Sequence, residues 1–326
     1  MLRFFRIADN TFKESIREPV YFLMLLCALV LIAHFPSMAL FVFFEQLKLV
    51  VDSSMASSLF FGLLCAVLCA SNTVSRELRN GSVLLLLSKP VTRFSFVLAK
   101  IVGIMASVTV FLFILNASAL VAVLIAKDQF RLEFGLMAVY YGAIAAAAIF
   151  GGLRNYFRQV SFTSNTLAAL LILIPVIAAI YYFVRVSGMD AHGEIDPEEF
   201  IEARHLIPAL LLLFPAVWTM GSISAALATR IELVSNLTVC TLIFLLGLVS
   251  KFFVLQWVGN SLFGSFLRAL LPNWQYFWMA DALAARQVIP YSYLLWALLY
   301  VLFYIGFWTL LALAFFNERE LAKDSR

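Results

Sequence analysis

Charge is what this sequence has least of: Asp, Glu, Lys and Arg make up 13% of its 326 residues, while 63% are hydrophobic. A soluble domain is about half apolar and roughly a quarter charged, so this chain has no material for a water-facing surface. Its mean hydropathy of +0.97 agrees, and no stretch has the mixed polarity of an independent globular domain. The bilayer has to be the solvent. Cysteine is scarce too. Cys27, Cys65, Cys69 and Cys240 all fall inside apolar runs, where a thiol serves as a small apolar side chain and not as a staple between loops. Two motifs are missing altogether. Without G-x-x-x-x-G-K-[ST] there is no phosphate-cradling loop for ATP on this chain, and without H-E-x-x-H there is no zinc-metalloprotease signature. The net charge of +4 is modest and gives no sign of a nucleic-acid partner.

What is present is a succession of apolar runs. A hydrocarbon core of about 30 Å takes roughly 20 residues of helix, and eight stretches approach that: 19–44, 55–71, 99–126, 134–152, 165–184, 206–228, 237–258 and 291–316. The second and fourth are short enough to be tilted or partly inserted helices, so six is the other count. The expected fold is all-α, a polytopic transmembrane helical bundle of about eight spans. The first run is too long for a signal-peptide core and lacks a small-residue cleavage site, so it is expected to stay as the first span. Lys and Arg set the orientation. With both ends inside, 15 of the 23 fall on inner segments and 7 on outer ones, Lys251 lying within a span.

Residues 1–18 read as an amphipathic helix lying in the membrane surface. Phe4, Phe5, Ala8, Phe12 and Ile16 fall on one side, and Arg3, Arg6, Asn10, Lys13 and Arg17 on the other. A basic flank to a signal anchor is the plainer alternative. Residues 19–326 then form one transmembrane domain. Within it, 185–205 is an acidic external loop in which Asp196-Pro197-Glu198-Glu199 has the N-cap, N1 proline and N3 acid of a helix start. The stretch 259–290, with Trp274, Tyr276, Phe277 and Trp278, reads as one or two interfacial or re-entrant helices at the outer face, or as packing of an undetected span.

The connection between the second and third runs, 72–98, is the informative part. Arg76, Glu77 and Arg79 make a polar helical turn leaving the membrane, Gly81 permits a sharp change of direction, and Val83 to Leu87 is too short to span. That run should lie along the interface as a cytoplasmic helix. Pro90 breaks it, and Arg93 and Lys100 are placed to anchor the next span at the inner headgroups. The pattern carried by Glu77, Gly81, Ser82, Pro90, Arg93 and Lys100 resembles the coupling helix of type-2 permeases of ATP-binding-cassette exporters. Leu271-Pro272-Asn273, ahead of a last run that ends Phe315-Phe316-Asn317-Glu318-Arg319-Glu320, is similar to the family's other end. The likeness covers the two ends of the chain better than its middle. Many members have six spans, which makes 165–184 and 206–228 the surplus pair. The resemblance implies a multi-pass permease of the inner (cytoplasmic) membrane with no cofactor of its own. ATP and Mg would be bound by a separate cytoplasmic ATPase subunit, and a second copy or a related permease would complete a dimer. Arg76, Glu77 and Arg79 become the docking contacts, Gly81 and Pro90 set the coupling helix's shape, and Ser82 and Arg93 belong to the same segment. A solvated charged loop obeying the positive-inside bias is the plain alternative.

Few polar residues lie within the runs. Asn116 in the third and Lys251 toward the outer end of the seventh are candidates for a pathway or for helix packing. Gly142 and Ala143 in the fourth run, with Gly221, Ala225 and Ala228 in the sixth, read as surfaces of close approach. Cys65 and Cys69 share a helix face but have no further ligand for a soft metal, and His192 and His205 have no zinc spacing. Ser222 and Ser224 have no evident histidine partner. A membrane-embedded enzyme or a scaffold protein is the alternative function, and a scaffold leaves 72–98 unexplained.

Overall fold

The computed structural model describes residues 2–39, 46–79, 92–127, 131–186, 197–253, 271–285 and 287–324. Within them the helices are α1 (Leu2–Arg17), α2 (Pro19–Ala39), α3 (Gln46–Arg79), α4 (Arg93–Ile125), α5 (Phe134–Arg158), α6 (Phe162–Val186), α7 (Pro197–Leu227), α8 (Leu233–Phe253), α9 (Ala280–Ala284) and α10 (Tyr291–Asp324). A two-residue antiparallel pair, Ala126–Lys127 with Arg131–Leu132, follows α4. A 3₁₀ turn spans Trp274–Tyr276.

Local chemistry sets these boundaries. Pro19 and Pro197 stand first in their helices, where the missing N–H would have had no partner. Thr92 caps α4, its side chain accepting from Ser95 N at 3.3 Å. The α5 helix ends on Gln159 at φ 53°, whose N–H reaches Asn155 O. Prolines stay inside α2 (Pro36), α6 (Pro175) and α7 (Pro208 and Pro215). Helix interiors tolerate them where neighbouring side chains take up the freed backbone groups.

Seven helices, α2 to α7 and α10, are long and apolar enough to cross a bilayer; α8 has a described apolar stretch of 17 residues. One expectation about the spans changes: the second and fourth runs are not short, because α3 has 34 residues and α5 has 25. Of the 185–205 loop, α6 continues to Val186, α7 begins at Pro197 where the sequence has its helix-start signal, and 187–196 lie outside the described residues. The sequence run starts at 55, after Lys48, Asp52, Ser53 and Ser54, whereas α3 starts at Gln46 and Ser54, like Ser57 and Ser58 within the run, is buried.

The centre of the bundle is α3, α4 and α7. Of their apolar stretches 67%, 78% and 78% are enclosed by the molecule, against 28%, 22% and 28% for α5, α6 and α10. Thus α7, set beside 165–184 as part of a surplus pair, lies at the core, and the peripheral pair is the α5–α6 hairpin. Side-chain volume permits the close central packing. A Cβ on Gly62 of α3 would meet Leu112 of α4 at 2.8 Å and Val217 of α7 at 3.0 Å.

Contacts also fix which helix ends lie together. The Arg17 carbonyl accepts from Thr163 at 3.3 Å, Phe22 meets Phe162 at 5.4 Å, and Phe96 meets Phe316 at 6.1 Å. Asn236 is bonded to Ser71, and Arg230 lies 5.6 Å over Phe315. The starts of α2, α4, α6 and α8 therefore share one end of the bundle with the finishing turns of α3, α5, α7 and the apolar part of α10. At that end α1 packs across α4. A Cβ on Gly103 would be 2.6 Å from the Ala8 carbonyl and 2.7 Å from Thr11 Cβ. The stripe α1 buries is Ala8, Thr11 and Ser15, while Phe5 stays 65% exposed. The docking face thus shares Ala8 and Ile16 with the apolar side that the sequence periodicity singles out and adds the small Thr11 and Ser15, while Phe5 of that side faces outward.

Candidate functional site

The segment singled out by its sequence begins on the last turns of α3 and ends at the start of α4. The backbones of Arg76, Glu77 and Arg79 continue α3, while their side chains, and Gly81, Ser82 and Pro90 entirely, lie outside the described residues. Arg93 is the first residue of α4 and is exposed. Both ends of the connection are anchored in the two helices that, with α7, are most enclosed. A force on it would act on the core and not on the periphery.

Behind the α3 end lies a buried polar node that the sequence reading did not identify. Asn236 Nδ2 donates toward Ser71 Oγ at 2.7 Å, Ser224 Oγ at 2.8 Å and the Ser224 carbonyl at 3.1 Å. Ser224 Oγ donates to the Val67 carbonyl at 3.3 Å, and the Cys240 thiol donates to Asn236 Oδ1 at 3.4 Å. One side chain thereby ties α3, α7 and α8 together, about two helical turns before Arg79. Asn236 is fully buried and stands one residue ahead of the 237–258 run. The available signal was its i,i+4 spacing with Cys240, which puts both on one face.

Lys100, read as an anchor for the start of α4, is 4% exposed, its Nζ 5.8 Å over the Phe96 ring, which itself meets Phe316. Its charge is thereby brought into a cation–π contact. Asn116, in the middle of α4, donates from Nδ2 to the Leu210 carbonyl at 3.0 Å. That carbonyl lies in the stretch of α7 between Pro208 and Pro215. Lys251 lies in α8 one turn beyond Gly247, and its side chain is outside the described set.

Gly247 marks where non-helical backbone enters the bundle. A side chain there would run into the Trp274 ring and the Pro272 carbonyl. Asn273 accepts from Gln275 N at 3.1 Å, and its own N–H donates to the Tyr300 hydroxyl at 3.3 Å. Trp274 and Phe277 are each 1% exposed. The described part of 259–290 is therefore a buried insertion between α8 and α10 as well as a surface element, since Tyr276 is half-exposed.

Other candidates resolve into packing. Cys65 and Cys69 lie 3.8 Å apart, and among the described residues no group of three metal-binding side chains occurs. Ser222 donates to the Thr219 carbonyl and Ser224 to Val67, so both hydroxyls are engaged by backbone. A cleft between α2 and α3, lined in part by Tyr21, Met24, Cys69 and Asn72, has a volume of about 10 Å³, room for at most a single water. No protein-family model, curated protein or solved structure matches this chain.

Proposed function

We propose that the chain is the permease subunit of an ATP-binding-cassette exporter of the type-2 class. In this reading α8 counts as a crossing, which makes eight, both ends are cytoplasmic, and ATP is hydrolysed on a separate subunit docked at 72–98. One observation supports it above others. The charged turn, glycine, apolar run, proline and arginine of residues 76–93 occur on the connection between α3 and α4, two of the three central helices. Arg76, Glu77 and Arg79 are the docking contacts, because charged pairs set register at an interface. Gly81 and Pro90 shape the helix that the ATPase grips. When two ATPases close around ATP, that helix moves α3 and α4, and the bundle exchanges inward for outward access. A second copy or a related permease supplies the other half of the passage.

Purification of the full chain with the cytoplasmic ATPase tests this reading. Glu77→Ala combined with Arg79→Ala is expected to leave membrane insertion intact, to weaken association at least about tenfold and to abolish transport. Unchanged association, or labelling of position 79 from outside the cell, would refute it.

A further inference from the structure

We infer that the corner where α1 meets the α5–α6 turn is a binding surface for anionic phospholipid headgroups. The inference needs no ATPase and stands apart from the transport reading. It begins with the rigidity of the corner. The close approach at Gly103 holds α1 against α4, and Ser15 Oγ donates to the Thr11 carbonyl at 3.0 Å, which leaves the docked stripe internally satisfied. At its far end the Arg17 carbonyl accepts from Thr163 of α6. The adjoining turn is equally defined, by Gln159 at φ 53° and by Asn155 Nδ2 donating to the Val160 carbonyl at 2.8 Å. Docking α1 by its small face turns its charged and aromatic side chains outward.

Those outward groups have one character. Arg6 and Arg17 of α1 are exposed, as is Arg158 of α5, and Arg154 lies half-buried with its guanidinium 5.7 Å over Phe150. Against the exposed Asp9, which Lys13 engages at 2.6 Å, and the half-buried Glu14 and Glu18 stand Arg3, Arg6, Lys13, Arg17, Arg154 and Arg158, which leaves the balance positive. Between the cations, Tyr156 and Phe157 are 76% and 75% exposed. Large rings left that bare fit neither water nor an acidic soluble protein. Rings at the headgroup level beside arginines fit a surface whose phosphates lie just above acyl chains. Directly beyond the turn, α6 presents Ile172 and Ile180 outward, the start of a lipid-facing wall. Positive charge, exposed aromatics and an apolar wall in that order match the profile of an anionic leaflet.

The test uses the purified full chain in neutral detergent and follows the thermal unfolding midpoint. Phosphatidylglycerol is expected to raise it by about 3–5 °C more than the same amount of phosphatidylcholine, as preferential binding to the folded state requires. The combined variant R6Q, R17Q, R154Q and R158Q should lose that difference. Inorganic phosphate at the same concentration should not reproduce it. Equal shifts from the two lipids, full retention of the difference in the variant, or reproduction by phosphate would each overturn the inference. If the variant does not fold, native mass spectrometry of the wild type decides the matter. Retention of phosphatidylglycerol over phosphatidylcholine from an equimolar mixture supports the assignment, and equal retention overturns it.

Discussion

Asn236 and Asn116 are both amides buried in apolar helices, and their surroundings give them different weight. Asn236 Nδ2 has three acceptors on two other helices and its Oδ1 takes the Cys240 thiol. Asn236→Leu removes that donor from Ser71 and Ser224 together and is expected to cost about 1–2 kcal/mol. Asn116 makes one interhelical bond, and its Oδ1 has no hydrogen-bond partner among the described residues. An interhelical bond in a membrane protein averages about 0.6 kcal/mol, which is less than the cost of roughly 1–3 kcal/mol for a buried orphan oxygen. Asn116→Leu should therefore be neutral or slightly stabilising. Thermal unfolding of the two variants in detergent checks the contrast, and equal losses would sink it. Transport assayed on the Asn116 variant then adds a second distinction: a protein with an unchanged midpoint that no longer transports would place this amide in the passage.

At the scale of elements, the sequence identified helices better than it identified their faces. The helix α1 was legible from its periodicity, yet of the apolar side Phe4, Phe5, Ala8, Phe12 and Ile16 only Ala8 is fully buried, beside Thr11 and Ser15, while Phe5 is left exposed. In water, apolarity selects the buried face; between helices in lipid both surroundings are apolar, and closeness of approach selects it instead. The length of α3 was hidden because Lys48, Asp52, Ser53 and Ser54 interrupt the apolar pattern ahead of 55, although the helix runs through them and Ser54 is buried. The enclosure of Lys100 was not legible either: position in the sequence shows that a cation is near a helix start, but not that it is buried over the Phe96 ring. The 72–98 connection stood out in the sequence as a pattern of residue types, while the Asn236 node behind it required knowing that α3, α7 and α8 converge. A prediction follows for Gly103. Gly103→Val places side-chain atoms against the Ala8 carbonyl and Thr11, an overpacking worth roughly 1–3 kcal/mol. It should lift α1 off α4. A cysteine introduced at Thr11, 1% exposed in the wild type, should resist maleimide there and react in the Gly103→Val background. Continued protection would mean that this contact does not hold the helix.

For the whole molecule, the question is which helices move together. The α3 helix runs unbroken from Gln46 to Arg79, so displacement of the connection after Arg79 is carried the length of the bundle unless α3 slides against a neighbour. Asn236 is the side chain that resists sliding, since it joins α3 to α7 and α8 near that end. With Ser71 Oγ and Asn236 Nδ2 2.7 Å apart, cysteines at both positions are within reach of a short bis-methanethiosulfonate cross-linker. In a background with Cys27, Cys65, Cys69 and Cys240 replaced by alanine, cross-linking of Ser71→Cys to Asn236→Cys should leave the proposed ATPase partner bound. It should also reduce ATP-driven transport to background, and reduction should restore it. That outcome requires α3 to separate from α8 during the cycle. If transport survives the cross-link, α3, α7 and α8 form a single moving body. The sliding surface would then have to lie between that body and the helices packed against it, α2, α4 and α10.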